Sequence, residues 1–196
     1  MAEVELPNLE ELHEHAEKSF SRRVALTTAI YAVALSIASL GGNNSVKEML
    51  LAQQQSSDQW AFYQAKVIRE HQYRGQKMLL EANLAEPSSL KGPERAKFEA
   101  LAAKFGEEEK RYNVEKKDIE KDAKKLEAVR DRHRERHPYF EFGEVFLQVA
   151  IVSASVSILS TSRSMFWFSL ILALLGCVLA TNGFVALYTL PFLHHH

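Results

Sequence analysis

Three stretches of this sequence are long, apolar and almost free of charged residues: 24–41, 142–160 and 165–188. A helix needs about 20 apolar residues to cross the hydrocarbon core of a bilayer, where no water can satisfy a free backbone amide. The last two stretches meet this length, and the first, with 18 residues, is still long enough. A cleaved signal peptide is the alternative for the first stretch, but the segment before it is long and acidic. We therefore predict an all-α membrane protein with three transmembrane helices.

Nearly all of the charge lies elsewhere, above all in the polar segment 42–141. Two helical patterns, at about 45–85 and 93–136, are separated by a break that contains Pro87 and Pro93. Proline stops a helix and is favoured in the first turn of the next one. Because the two patterns have similar lengths and a short break, they predict a long extramembrane antiparallel hairpin between the first and second transmembrane helices.

In the second helix of this hairpin, most of the residues at every seventh position are apolar, and seven residues is the period of a coiled coil. One narrow apolar stripe cannot form a core alone, so it needs a partner helix. The first helix has apolar residues at compatible spacing, but the polar run Gln53–Asp58 interrupts its apolar face. This leaves a loosely specified hairpin or pairing with other subunits, and we favour a homo-oligomer. The predicted coiled-coil seam comprises Phe98, Phe105, Tyr112, Ile119 and Leu126 of the second helix, and Trp60, Tyr63 and Val67 of the first.

Each apolar stretch also has a stripe of small residues at helical spacing. Small side chains allow helices in a membrane to approach closely and to associate through van der Waals contact. The stripes either pack against each other within one chain or, in at least one case, pack against another copy. They are Ala25, Ala29, Ala32, Ser36 and Ser39; Ala150, Ala154, Ser157 and Thr161; and Ser169, Ala173, Gly176, Ala180 and Gly183.

A few polar side chains lie inside the apolar stretches. Glu144 and Gln148 are one helical turn apart near the start of the second stretch, and Asn182 lies toward the end of the third. Polar groups at membrane depth are costly and often face a partner or water. They are either interfacial groups with local hydrogen bonds or, together with Gln53 of the polar run, the lining of an ion channel or pore.

Arginine and aromatic residues flank the apolar stretches, as is typical of the lipid–water interface. Residues 1–23 are typical of an amphipathic interfacial segment, and 194–196 of a purification-tag remnant. Cations before the first stretch favour a cytoplasmic N-terminus, whereas the larger number before the second favours a cytoplasmic hairpin. We predict a cytoplasmic hairpin, with a partly inserted first stretch as the alternative. The interface residues are Arg22, Arg23, Arg134, Arg136, Tyr139, Phe140 and Trp167.

Residue types that carry out chemistry are sparse. The 24 Lys and Arg nearly balance the 25 Asp and Glu, whereas a nucleic-acid-binding protein needs a basic excess. The lone Cys177 cannot form a disulfide within the chain. His133 and His137 have the spacing of a metal pair, but arginines in the same turns repel a dication. His13 and His15 fit the polar face of an amphipathic helix. We predict no enzyme activity, no cofactor and no metal site.

Two strings are distinctive, SDQWAFYQAK at 57–66 and HPYF at 137–140. With the sequence around them, from about Glu14 to Asn182, the chain resembles domain-of-unknown-function family 4337, a family of bacterial membrane proteins. The resemblance implies a multi-pass protein of the bacterial inner membrane and implies no mechanism. For function, we predict a homo-oligomeric helical scaffold or interaction protein, with an oligomeric ion channel as the alternative.

Overall fold

A computed structural model describes residues 9–86 and 92–186, with side chains from residue 14 onwards. This part of the chain forms three helices: α1 (Leu9–Ala85), α2 (Pro93–Leu159) and α3 (Arg163–Val185). It contains no strand, which confirms the predicted all-α class. The remaining residues lie outside the described part, among them the predicted break at 87–91, the last residues of the third apolar stretch and the tag remnant.

Each helix contains an 18-residue apolar window with at most two charged residues, and each is therefore long and apolar enough to cross a membrane. Several hydroxyl side chains in these windows hydrogen-bond to the carbonyl oxygen one turn earlier in the same helix. Examples are Thr28 to Val24 at 2.9 Å and Thr181 to Cys177 at 2.7 Å. A hydroxyl bonded in this way needs no water, which suits a helix surface in lipid.

Helix α1 has 77 residues and continues through Gly41 and Gly42, where the sequence indicated separate segments at 24–41 and 45–85. A glycine pair weakens an isolated helix, but here tertiary packing uses both residues. A Cβ atom at Gly41 would lie 2.6 Å from the ring of Phe140, and one at Gly42 would lie 3.2 Å from the same side chain. The glycines therefore give α2 room to approach closely, and the helix persists.

Helix α2 likewise continues through Pro138, where the sequence placed the end of one helix and the start of the next. Proline supplies no amide donor to the preceding turn. The aromatic residues that follow it, Tyr139 and Phe140, are buried. We attribute the continuity of α2 to this packing.

The chain divides into two compact units, of which unit 1 comprises Met1–Glu48 and Arg132–His196. Its core contains residues from all three helices: Val24, Tyr31, Ala38, Leu147, Ala150, Ala154, Ala173 and Ala180. The turn between α2 and α3 is short, and the two helices run antiparallel. They touch at Gly143 and Gly176, where a Cβ atom on either glycine would lie about 3 Å from the other's carbonyl oxygen.

Unit 2 comprises Met49–Asp131 and contains the second half of α1 and the first half of α2. Residues farther along α1 contact residues that come earlier in α2. Trp60 Nε1 donates to Glu127 Oε1 at 3.0 Å, and Arg74 Nε donates to Glu109 Oε1 at 2.7 Å. The two helical segments of unit 2 are therefore an antiparallel pair.

Candidate functional site

Each helix of unit 2 contains a series of buried or half-buried residues whose spacing alternates between three and four. This spacing places them along one stripe of each helix, and the two stripes face each other as a seam. Many of the seam residues are polar or charged, so this is not an ordinary apolar core. On α1 the seam contains Ser56, Gln59, Tyr63, Lys66, Glu70, Tyr73 and Lys77, and on α2 it contains Phe105, Glu109, Tyr112, Lys116, Ile119, Ala123, Leu126 and Arg130.

Glu70 is the centre of the polar part of this seam, and its side chain is only 1% exposed. Its carboxylate accepts hydrogen bonds from Lys116 Nζ, from Asn113 Nδ2 at 2.9 Å and from Arg74 Nη2 at 3.1 Å. A buried carboxylate is costly unless it is paired and hydrogen-bonded. Here two of the three donors come from the opposite helix, so the charge of Glu70 is satisfied only when α1 and α2 pair in this register.

The electrostatics of the seam favour ionised carboxylates. Burial by itself raises the pKa of Glu70, but hydrogen bonds from Lys116 and Asn113 and nearby cations outweigh it and lower the pKa. A hydrogen bond from Arg74 lowers the pKa of Glu109. A hydrogen bond from Lys66, whose Nζ lies 2.6 Å from Glu115 Oε2, lowers the pKa of Glu115. The seam thus joins the two helices through charge as well as apolar contact.

An aromatic stack lies beside the ions. The rings of Tyr73 and Tyr112 stack with centroids 5.6 Å apart, and Phe105 lies 5.7 Å from Tyr73. Lys66 Nζ lies 5.1 Å from the centre of the Tyr112 ring, within the range of a cation–π interaction. These rings and ions therefore contact one another across the two helices of unit 2.

The predicted seam residues lie on the seam or beside it. Tyr112 is buried, and Phe98, Phe105, Ile119, Leu126, Trp60, Tyr63 and Val67 are half-buried. The polar run at 53–58, predicted to interrupt the face, contributes the buried Ser56 to the seam. Gln53 itself is exposed and accepts a hydrogen bond from Arg130 at 3.0 Å.

Sequence reasoning missed Glu70, Asn113 and Lys116 as a cluster, because only apolar residues were counted toward the seam. A signal existed in the spacing. Continuing the pattern from Tyr63 by seven residues reaches Glu70, and from Ile119 back by three reaches Lys116. Opposite charges at seam positions of two predicted partner helices would have indicated the pair.

The polar residues predicted to line a pore differ in solvent exposure and do not all belong to the same unit. Glu144 is half-buried, and its Oε1 lies 3.2 Å from where a Cβ atom on Gly42 would be. Gln148 is exposed on the surface of α2, and Asn182 is half-buried on α3. Gln53 belongs to unit 2, whereas the other three belong to unit 1.

The residues predicted to lie at a membrane interface also differ in exposure. Arg22, Arg23, Arg134 and Trp167 are exposed, and Arg136 is half-buried. Tyr139 and Phe140 are buried within unit 1, and the Phe140 ring packs edge-on against Phe184 at 4.8 Å. These two aromatic residues therefore contribute to packing within the chain.

The three small-residue stripes have different surroundings. All five stripe residues of α3, from Ser169 to Gly183, are buried, as are Ala150, Ala154 and Ser157 of α2, whereas Thr161, in the turn after α2, is exposed. These two stripes therefore pack within the chain. The stripe of α1 does not, since Ala25, Ala29, Ala32 and Ser36 are exposed and Ser39 is half-buried.

These features define an all-α protein with helices apolar enough to span a membrane and with an antiparallel helix pair joined by buried ions. The family described as Domain of unknown function (DUF4337) matches the chain over residues 20–186. The match covers most of the sequence, and the chain belongs to this family. No match is found among curated proteins or among solved structures.

Proposed function

We propose that this protein is a multi-pass scaffold of the bacterial inner membrane that acts by associating with further copies of itself. In this proposal the apolar windows of α1, α2 and α3 span the bilayer, and the charged segment 42–141 forms a coiled-coil hairpin outside it. The seam of unit 2, with the spacing of a coiled coil, supports the second part. The proposal includes no catalytic activity, cofactor or nucleic-acid partner.

The observation that carries the proposal is the division of α1 within unit 1 into three faces. One face is buried in the unit through Val24, Tyr31 and Ala38. A second face consists of large apolar residues that are each more than half exposed, namely Leu26, Ile30, Val33, Ile37 and Leu40. The third is the exposed small-residue stripe, defined above from Ala25 to Ser36.

Large apolar side chains fill space among lipid tails, whereas small ones permit a second helix to come into close contact. The small-residue stripe of α1 resembles the stripes of α2 and α3, which are buried in helix contacts within the chain except at Thr161. By this comparison, the stripe of α1 fits a second copy of α1 better than it fits lipid. A symmetric dimer would bring the same stripe together from both copies.

Mass measurement in a mild detergent tests this proposal. We expect an oligomer for the wild-type chain and a shift to monomer for Ala29→Leu, because the larger side chain separates the two helices. Val33→Leu, on the large apolar face, is the matched control and should keep the oligomer. A wild-type monomer at working concentration would contradict the proposal, and so would an Ala29→Leu variant that keeps its mass.

A second candidate function is an oligomeric ion channel, and the exposed Gln148 favours it. This amide lies in the apolar window of α2 on the outer surface of unit 1. Exposure of an amide to lipid is costly, so it is expected to face a partner or water. Liposomes that contain the protein should then show ion flux that decreases in Gln148→Leu. Absence of flux under every ion gradient tested would exclude this candidate.

For orientation we propose that the hairpin is cytoplasmic. The cluster of arginines at 130–136 precedes the apolar part of α2 and outnumbers the cations before residue 24. A membrane-impermeant thiol reagent applied to intact cells should fail to label a cysteine placed at exposed Ala65 in a Cys177→Ser background. Labelling from outside would reverse the orientation.

A further inference from the structure

A cavity of about 390 Å³ lies within unit 1, among α1, α2 and α3. Its volume is in the range of small-molecule sites, which run from roughly 300 to 1,000 Å³. The three helices contribute residues from the same end of their apolar windows, around Gly41 on α1, Phe140 on α2 and Gly183 on α3. The cavity therefore lies where the apolar part of unit 1 meets its charged part.

The lining of the cavity is divided into a polar and an apolar end. Asn44 and Ser45 on α1, and His133 and Arg136 on α2, lie on the side that leads into the charged sequence. Ser45 Oγ is already used, since it donates to the carbonyl oxygen of His133 at 3.0 Å. None of the described lining residues is acidic, so the polar end favours an anion.

Among the residues that line the cavity, Arg136 has a buried hydrogen-bond donor that is not satisfied. Its Nε atom is buried and has no hydrogen-bond partner. Within residues 14–86 and 92–186, its guanidinium makes no ion pair. A buried donor without a partner destabilises the fold, and more so when it is charged. An oxyanion in the cavity would accept from this group, and a guanidinium binds phosphate with two parallel hydrogen bonds.

The apolar end is open to the outside of the unit. Ile37, Leu40 and Phe184 line it and are 54%, 71% and 49% exposed. Leu40 and Ile37 also belong to the large apolar face of α1, which the proposed function places against lipid tails. A molecule with a charged head in the cavity can therefore extend an apolar tail along this face without leaving lipid.

We propose that the cavity binds the headgroup of an anionic phospholipid, with its phosphate on Arg136 and its acyl chains against Ile37, Leu40 and Phe184. This inference rests on the proposed insertion into a membrane. It commits to lipid rather than to free phosphate, because an apolar wall continues directly from the cationic end. A zwitterionic lipid fits less well, because its own cation would lie near the guanidinium.

Native mass spectrometry of the full chain released from detergent micelles tests the proposal. The probes are dihexanoyl phosphatidylglycerol, dihexanoyl phosphatidylcholine and inorganic phosphate. We expect phosphatidylglycerol to bind about tenfold or more tightly than phosphatidylcholine, because both lipids offer a phosphate to Arg136 but the choline cation is repelled by the guanidinium. Arg136→Gln should remove most of this preference. Arg132→Gln should preserve it, since Arg132 carries the same charge on the same helix but is exposed and does not line the cavity.

A second variant keeps the test decisive if Arg136→Gln fails to fold. Leu40→Trp fills the apolar end and leaves the charges in place, so it should also weaken phosphatidylglycerol binding. Equal binding of the two lipids, or an Arg136→Gln variant that keeps the preference, would overturn the proposal. Displacement of the lipid by an equal concentration of inorganic phosphate would show a free-phosphate site instead. A Leu40→Trp variant with changed subunit number and unchanged lipid binding would show that a second copy occupies the cavity.

The same spectra give the subunit number of the wild-type chain, which separates the two proposals. A monomer that keeps the lipid preference would contradict the proposed self-association but not the lipid site. An oligomer that shows no lipid preference would contradict the lipid site but not the proposed self-association.

Discussion

Replacing Glu70 by glutamine tests whether its buried carboxylate holds the helix pair of unit 2 together. The change keeps the size of the side chain and a group that can bond to Asn113, but removes the negative charge facing Lys116. A hydrogen bond to a charged group contributes about 1.5–3 kcal/mol, and breaking a fully buried ion pair costs more. The Lys116 side chain is 18% exposed and that of Arg74 48% exposed, so solvent reduces the loss. We expect the free energy of unfolding of unit 2 to fall by about 2 kcal/mol.

The fluorescence of Trp60 provides the assay. Trp60 lies in unit 2 and donates to Glu127, so its emission should change when the two helices separate. The second tryptophan, Trp167, is replaced by phenylalanine in all variants to leave one reporter. Urea titration of the full chain in detergent micelles then gives the free energy of unfolding from the midpoint and slope.

A matched control makes the outcome specific. Glu99→Gln also removes a carboxylate from unit 2, but Glu99 is 56% exposed and pairs with Arg95 on the same helix. Surface pairs of this kind contribute little, so the control should unfold like the parent chain. A Glu70→Gln variant as stable as its parent would refute the reasoning, and so would an equal loss in both variants.

Three further results are expected from the same structure. The lowered pKa values of Glu70, Glu109 and Glu115 mean that their stabilisation is complete above the ordinary value of 4.5 and is lost as pH falls through the lower values in the folded state. The urea midpoint should therefore be level above about pH 5 and decline below it, whereas a midpoint that rises on acidification would contradict the assignment. Gly176→Ala should destabilise unit 1 by about 1–3 kcal/mol, since its Cβ would lie 2.9 Å from the Gly143 carbonyl oxygen. Gly75→Ala, with nothing within 4 Å of the added Cβ, should stabilise α1 by about 0.5–1 kcal/mol. Thermal unfolding followed by circular dichroism measures the stability of both glycine variants.

The sequence predicts the all-α class, because helix formation here depends on local chemistry. Apolar length indicates the windows that can span a membrane, and Pro93 coincides with the first residue of α2. The second and third stripes were also visible as periodic small residues, and all of their residues except Thr161 are buried in the structure. That the stripe of α1 is exposed could not be predicted, since all three stripes consist of small residues at helical spacing and only tertiary contacts show which of them is covered.

Other features depend on contacts between residues that are distant in the sequence. From the sequence alone, Gly41 and Gly42 indicate the end of one helix. The structure shows that the helix continues and that Phe140 packs against both glycines. The ion cluster around Glu70 is absent from the predicted seam, because only apolar residues were counted toward the seam and a charged residue inside a helix is usually exposed. The cavity beside Arg136 requires residues from three helices and leaves no local signal.

Cysteine cross-linking in native membranes tests the proposed self-association most directly. Cys177 is the only cysteine in the sequence, so a Cys177→Ser background leaves each introduced thiol as the single site. Under mild oxidation, Ala29→Cys and Ser36→Cys should form disulfide-linked dimers in the membrane fraction, and Ile30→Cys and Val33→Cys should remain monomeric. Dimers formed through positions 30 and 33 alone, or no dimers at all from protein present in the membrane, would contradict the account.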